Sequence, residues 1–301
     1  MATPAIKKDN VIPLEVINGK IAEKKTKVKK DGTPKRTKPG RKKGEAEEVL
    51  PIKTKDDISA IMDVLNYNVQ IATEEYDKAV ADLDAVKSSK GRIKERVRVL
   101  SKTMRAKAAK LYYAYRNRLL WVVGINCGLR ASDLRLLRWG DFFKWDSKAG
   151  ELIRRDSHRF QPIKTKDKYV KISWNNTIWY GIEQYMERYP VTRDDLDKFV
   201  FATVNDNTPM SVQQIWNVVC DTADAAQIPY NVGTHTLRKT WGYWSWRAAK
   251  DKTRALVELQ HAFNHTSTLV TMHYIGLLQE DVDALYKRTN LGLDDLQKSE
   301  V

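Results

Sequence analysis

Apolar residues recur every three or four positions over residues 58–86, which is the spacing of one face of an α-helix. This seam consists of Ile58, Met62, Leu65, Val69, Ala72, Tyr76, Ala79, Leu83 and Val86. SSKG at 88–91 interrupts it, and a second periodic stretch runs from Ile93 to about Asn126. We therefore predict an antiparallel helical hairpin over residues 56–126. Its seam favours packing of one helix on the other, and contact with a partner or with DNA is the alternative.

The pattern changes after residue 140. Short alternating stretches at 151–155, 160–164 and 169–173 indicate strands, and the polar TKDK turn joins the last two. A helix is predicted at about 175–189, and a further strand at 199–201. Ser211 is a suitable N-cap for a helix that runs to about Gln227, and two more helices are predicted at 236–250 and 252–263. The fold class is mainly α with a small antiparallel β-sheet (α+β).

The chain has 301 residues, of which 42% are hydrophobic, enough to bury a sizeable core. Residues 1–49 contain little to bury and are predicted to be a basic, flexible arm. Residues 50–290 form the predicted folded body, which includes the hairpin, and residues 291–301 form a C-terminal tail.

Net charge is +15, and much of it lies in one segment. Residues 20–43 hold twelve Lys/Arg and two acidic residues, a net charge of +10. A basic flexible arm is suited to bind the phosphate backbone of double-stranded DNA. Such binding weakens with salt and does not depend on the DNA sequence. A solubilising tail is the other interpretation. The candidate DNA-binding residues are Lys24, Lys25, Lys29, Lys30, Lys35, Arg36, Arg41, Lys42 and Lys43.

Other classes of protein fit poorly. The longest apolar runs are too short to span a membrane, and the first residues lack the apolar segment of a secretory signal. Cys127 and Cys220 lie in apolar surroundings without metal-ligand spacing, so we expect buried thiols and no metal site. We expect a cytoplasmic, nucleoid-associated protein of a bacterial host that needs no cofactor.

Four separated motifs carry candidate chemistry. They are CGLRASDLRLLRWGDF with Arg130, IKTKDKYVKI with Lys164, THTLRK with His235 and Arg238, and NHTSTLVTMHY with His265 and Tyr274. Two arginines can bracket a phosphate, and histidines add proton donors or acceptors. A phenol, whose pKa is about 10, needs nearby cations or a base to become a nucleophile. The set is consistent with phosphoryl transfer through a tyrosyl phosphate. It has no carboxylate cluster for Mg²⁺.

Taken in order, these motifs resemble the catalytic domain of the tyrosine recombinases, or phage-type integrases. CGLRASDLRLLRWGDF is similar to the family's first arginine box, and HTLR to its His-x-x-Arg box. FNHTSTLVTMHY is similar to the closing box, in which the tyrosine follows the histidine by nine residues. IKTKDKYVKI resembles the β-hairpin that carries the catalytic lysine. The resemblance covers approximately residues 50–290.

The resemblance implies a role for each residue. Tyr274 attacks the scissile phosphate, giving a 3′-phosphotyrosyl enzyme and a free 5′-hydroxyl. Arg130 and Arg238 stabilise charge on the non-bridging oxygens, and His265 donates to the phosphate. His235 is the acid/base partner. Lys164 protonates the departing 5′-oxygen, with Lys166 or Lys168 as alternatives because alignment slips at turns.

Three departures from the family pattern are visible. Phe263-Asn264-His265 stands where the family has Leu-Gly-His, and Lys239 occupies a position that is often histidine. The third is that only the arm precedes residue 50 here, whereas most integrases place a separate core-binding domain before the catalytic domain and form a clamp around DNA. We expect the arm and the hairpin to substitute for part of that clamp.

The implied function is that of a metal-independent, site-specific DNA recombinase of a phage or other mobile element. It acts as a tetramer on two DNA sites, and accessory DNA-bending factors are compatible partners. A catalytically silent DNA-binding regulator on the same fold is one alternative. Relaxation of DNA in the manner of type IB topoisomerases is another.

Overall fold

Two long helices, α1 (Lys55–Lys87) and α2 (Lys94–Cys127), pack against each other. The computed structural model describes residues 48–88, 94–163, 169–204, 206–277 and 287. Thr54 caps α1 by accepting a hydrogen bond from the backbone N–H of Asp57. Glu75 of α1 pairs with Lys107 and Lys110 of α2, whereas Asn66 meets Arg118, so the helices are antiparallel. The predicted hairpin is confirmed.

The seam of α1 is buried much as its spacing predicts, with Ile61 taking the place expected of Met62. In α2 every residue classed as buried lies between Leu111 and Cys127. The hairpin is therefore embedded in the body at one end and leaves the other end of α2 largely exposed.

Beyond α2 come two short helices, α3 (Ala131–Leu134) and α4 (Trp139–Phe142), and then four strands. β1 (Phe143–Asp146) pairs antiparallel with β2 (Glu151–Arg154), and β3 (Ser157–Phe160) pairs antiparallel with β4 (Val170–Ser173). The β3–β4 register places Ser157 opposite Ser173 and Phe160 opposite Val170.

Two of the strand predictions were wrong. A strand was expected at 160–164, but β3 spans Ser157–Phe160 and ends where that strand was to begin. Pro162 has no backbone N–H to donate to a strand ladder. The strand expected at 199–201 is reduced to an isolated bridge between Arg138 and Phe199. β1 was not predicted, since its sequence continues the apolar run of α4 without a break.

Four further helices agree closely with the sequence pattern, and they are α5 (Asn176–Met186), α6 (Val212–Ala225), α7 (Thr234–Ala248) and α8 (Lys252–Phe263). The short helix α9 (Thr268–Tyr274) was not predicted. Ser211 caps α6 in a reciprocal capping box with Gln214, as expected from the sequence. Among the described residues, no helix is long and apolar enough to cross a membrane.

The core has two parts. The larger part joins α1 and α2 to α3, α4, β4, α5, α6 and the first half of α7. The smaller one is built from Tyr243, Leu259, Phe263, Ile275 and Leu277, and it lies beneath α9. Residues 1–47 of the predicted arm and the predicted C-terminal tail fall outside the described residues, and the domain boundaries stay a prediction.

Candidate active site

Six catalytic residues were expected from four separated motifs. Five of them, from three of these motifs, lie together in the structure. Arg130 lies three residues after the end of α2 and immediately precedes the first residue of α3. His235 and Arg238 lie near the start of α7, His265 follows α8, and Tyr274 is the last residue of α9. Lys164, with its alternatives Lys166 and Lys168, falls in the segment 164–168, outside the described residues, as do the nine candidate DNA-binding residues of the arm.

The hydroxyl of Tyr274 faces a histidine. His235 Nδ1 lies 3.1 Å from Tyr274 Oη, and the two rings meet edge to face. Burial raises the pKa of the Tyr274 hydroxyl, and the positive charges of Arg238 and Arg130 oppose that rise. The phenol is thus protonated in the resting site, with an imidazole within reach of its proton.

Arg238 is only 6% exposed and points into the site from α7. Its Nη1 donates to the carbonyl of Gly128, and its guanidinium lies 4.4 Å from the centre of the Phe263 ring. Burial lowers the pKa of this guanidinium to about 10, so that it still carries its charge at neutral pH. A fixed, desolvated cation of this kind interacts strongly with an incoming phosphate.

Arg130 is half-buried and donates from Nη2 to the carbonyl of Phe263 over 3.4 Å. The backbone beside it requires glycine, because Gly128 has a φ of +64° and a Cβ there would lie 2.3 Å from the Trp241 ring. The glycine of the CGLR motif therefore lets α2 turn sharply into the arginine while α7 approaches closely.

His265 is positioned by Thr271, a residue that the sequence did not single out. His265 Nδ1 lies 3.1 Å from Thr271 Oγ1, and that hydroxyl also lies 3.2 Å from the carbonyl of Ser267. A hydroxyl has one proton to donate, so it serves either the carbonyl or the imidazole. When it serves the imidazole, the ring proton resides on Nε2 and can be donated to a phosphate.

Charge and packing around His265 favour its neutral form. Burial, followed by the charges of Arg238 and Arg130, lowers the pKa of His265. Its ring also packs 5.0 Å from that of Tyr274, centre to centre. Asn264, which replaces the family's glycine, adopts a left-handed conformation with φ of 56° and ends α8. Asparagine tolerates this conformation better than most residues, so the chain still turns toward His265.

Two further residues of the site lie within the motifs but were given no role from the sequence. Asp133 is 7% exposed, and its Oδ1 accepts from the backbone N–H of Ile163 over 3.1 Å, which fixes the main chain at the residue before Lys164. Lys239 is 4% exposed, and its Nζ lies 5.1 Å from the centre of the Tyr274 ring. These contacts join residues 30 or more positions apart, so no local pattern predicts them.

A cleft of about 230 Å³ opens beside the two arginines. Arg130, Asp133 and Arg238 line one side, and residues of β4, including Lys171, line another. Pro162 and Val170, which lie on either side of residues 164–168 in the sequence, line the same cleft as the two arginines.

Comparison with known proteins identifies the family. The phage integrase family matches residues 94–280, beginning at the first residue of α2. The probable integrase/recombinase YoeC of Bacillus subtilis (strain 168) is 31% identical over 192 residues, which are 64% of this chain and 94% of that protein.

Two solved structures are also similar. One is the XerA recombinase, with a TM-score of 0.48 and 15% identity over 84% of this chain and 66% of that one. The other is the XerH site-specific recombinase in a post-cleavage complex with a palindromic difH substrate, with a TM-score of 0.42 and 17% identity over 71% of this chain. This chain spans only 51% of the XerH chain. On the strength of the family match and the sequence identity with YoeC, the chain belongs to the phage integrase family, the tyrosine recombinases, which are DNA strand transferases.

Proposed function

We propose that this chain breaks and rejoins DNA strands through Tyr274. The observation that carries the proposal is the 3.1 Å contact between Tyr274 Oη and His235 Nδ1, in a site that also holds Arg130 and Arg238. In the first step Tyr274 Oη forms a bond to phosphorus and its proton passes to His235. The bond from phosphorus to the 5′-oxygen breaks, and the 3′-phosphate stays on the enzyme. Attack by a 5′-hydroxyl of another strand reverses these changes and joins the strands.

The two arginines stabilise the charge that develops on the non-bridging oxygens. Arg238 is held in place by Gly128 and Phe263, so little reorganisation is needed when the phosphate arrives. His265 donates from Nε2 to the same phosphate when Thr271 donates to Nδ1. All of these groups are side chains of the protein, and this chemistry requires no metal ion.

Lys164 is proposed as the acid that protonates the departing 5′-oxygen, with Lys166 and Lys168 as alternatives. The support is the position of the described residues on either side of 164–168, because Ile163 is hydrogen-bonded to Asp133 and Val170, the first residue of β4, lines the cleft that Arg130 also lines. Replacing each lysine by methionine, one at a time, identifies the acid. A 5′-phosphorothiolate substrate has a leaving group that needs no protonation, and it restores cleavage in the variant that lacks the acid.

Double-stranded DNA is the proposed partner, and two groups of basic residues support it. One is the set of nine candidate residues in the sequence of the predicted arm. The other is an exposed face of α2 formed by Lys94, Arg98, Lys102 and Arg105, which we call the α2 basic face. At 1.5 Å per residue it spans about 17 Å, the length of several phosphate contacts along a duplex. Recombination itself is proposed to occur in a tetramer on two sites of a mobile element, at the nucleoid, with or without DNA-bending factors.

Covalent trapping tests the central proposal. Wild type, Tyr274→Phe and Tyr180→Phe are incubated in EDTA with nicked duplexes from the DNA that flanks the gene, then separated under denaturing conditions. Tyr180 is a matched control because it is an exposed tyrosine of α5. We expect a protein–DNA adduct from wild type and Tyr180→Phe and none from Tyr274→Phe.

Other outcomes select other functions. Equal DNA binding by all three proteins without an adduct on any flanking duplex favours the catalytically silent regulator. An adduct accompanied by relaxation of plasmids that carry a single site favours activity of the topoisomerase type. Exchange of strands that requires two sites favours recombination.

A further inference from the structure

Residues 50–53 form an extended segment along α7, which we call the strap. Its backbone is held by three side chains spaced four residues apart on one face of that helix, Thr236, Thr240 and Trp244. Thr236 Oγ1 donates to the carbonyl of Leu50 over 2.9 Å, and the N–H of Ile52 donates to Thr240 Oγ1 over 2.9 Å. Spacing of four residues aligns the three side chains along the helix axis, so the strap follows α7 over two turns.

The strap ends at the segment that carries the nucleophile. Lys53 Nζ donates to the carbonyl of Gly276 over 2.7 Å, and it also lies 5.5 Å from the centre of the Tyr243 ring. Gly276 is the second residue after Tyr274 and has a φ of +77°. The strap thus joins the first half of the folded body to the end of α9, across 223 residues of sequence.

A helix as short as α9 needs such anchors. It has seven residues, and helices of fewer than about 12 residues are marginal in water without tertiary contacts. Ser267 caps its first turn, and Ile275 and Leu277 are buried just beyond its last residue. Lys53 adds a charge-assisted hydrogen bond at the end of the helix, where a cation is favoured by the helix dipole.

We infer that Lys53 is a positioning residue for Tyr274. It fixes the main chain two residues beyond the nucleophile, and Tyr274 Oη thereby keeps its place beside His235. We assign Lys53 no contact with the substrate phosphate. The inference rests on the proposed function of Tyr274 for its effect on cleavage, but its effect on α9 does not depend on that function.

The test compares Lys53→Met, Lys53→Arg and Lys55→Met with wild type. Methionine keeps the length of the side chain and loses the donor, and arginine keeps a donor. Lys55 is an exposed lysine two residues away and serves as the control. Single-turnover cleavage is measured at saturating DNA, DNA affinity is measured by titration, and deuterium uptake is measured for peptides that cover residues 268–277.

We expect Lys53→Met to cleave about tenfold more slowly with unchanged DNA affinity, because a displaced nucleophile loses reactivity while the substrate still binds. Deuterium uptake over 268–277 should be faster in Lys53→Met, near wild type in Lys53→Arg and unchanged in Lys55→Met. Wild-type uptake in Lys53→Met, or equal defects in the methionine and arginine variants, would overturn the inference. If wild type forms no adduct, the proposed function fails, and the uptake measurement still decides the role of Lys53.

Discussion

The two halves of α2 have the same secondary structure and different surroundings. Between Leu111 and Cys127 the helix buries nine residues, including Arg116, and leads into Arg130. Each of residues 94–110, all of which the structure describes, is at least partly exposed. The embedded half, residues 111–127, therefore leads into an arginine of the candidate site and helps to position it. The outer half, residues 94–110, packs on α1 through a narrow seam, and many of its charged side chains are exposed to solvent. A single helix is thus part of the core at one end and exposed to solvent along much of the other.

The largest effect is expected at the candidate site that the embedded half supports. Arg238→Lys should slow cleavage by about 10²–10³-fold, because lysine cannot reproduce the fixed donor geometry toward the phosphate. Single-turnover cleavage measures it, with Arg247→Lys, an exposed arginine of the same helix, as the control. Equal rates for the two variants would contradict the proposed role of Arg238.

Stability should also differ between the two halves. Leu119 is 1% exposed, and Leu119→Ala should lower the free energy of unfolding by about 2–5 kcal/mol. Leu100 of the outer half is only partly buried, and Leu100→Ala should cost roughly 1 kcal/mol or less. Chemical denaturation of both variants gives the comparison. Equal losses would show that the outer half is as much a part of the core as the embedded half.

The α2 basic face should affect binding and leave chemistry unchanged. Lys102→Gln combined with Arg105→Gln should reduce the slope of log affinity against log salt by about 2, since each phosphate contact contributes roughly 0.9. Cleavage at saturating DNA should be unchanged. The matched control is Lys78→Gln with Lys87→Gln, two exposed lysines of α1. A salt slope equal to that of the control would exclude DNA contact by this face.

The smallest effect is expected at the ion pairs between the outer half and α1. Lys110 and Lys107 lower the pKa of Glu75, against the opposing effect of burial. These ion pairs therefore stabilise the folded protein at pH values above the unfolded-state pKa of the Glu75 carboxyl. Their contribution is lost as the pH falls through the lower folded-state pKa. Glu75→Gln should cost up to about 1 kcal/mol at pH 7. Denaturation curves at pH 7 and at acid pH check this, because the difference from wild type should vanish in acid.

Local patterns predicted the parts of the fold that depend on local physics. The bounds of α8 and the Ser211 cap follow from helix periodicity and capping chemistry, which act over a few residues. β1 and β3 were harder to locate because four-residue strands with mixed burial have too few positions to show a period.

The candidate site could be predicted only in part. The resemblance to the integrases brought Arg130, Arg238 and Tyr274 to attention, since its motifs encode a spatial arrangement that no single motif reveals. It did not reveal Thr271 beneath His265 or the contact of Lys53 with Gly276. Such contacts depend on how distant elements pack, which neither periodicity nor propensity determines.

The two cysteines make this protein convenient for site-directed labelling. Both thiols are buried, and burial raises the pKa of Cys127 to about 12, so that its reactive thiolate is scarce at neutral pH. A cysteine introduced at an exposed position of the outer half of α2 should therefore react alone with a maleimide dye. Fluorescent reporters of DNA approach can then be placed on this helix without first removing the native thiols.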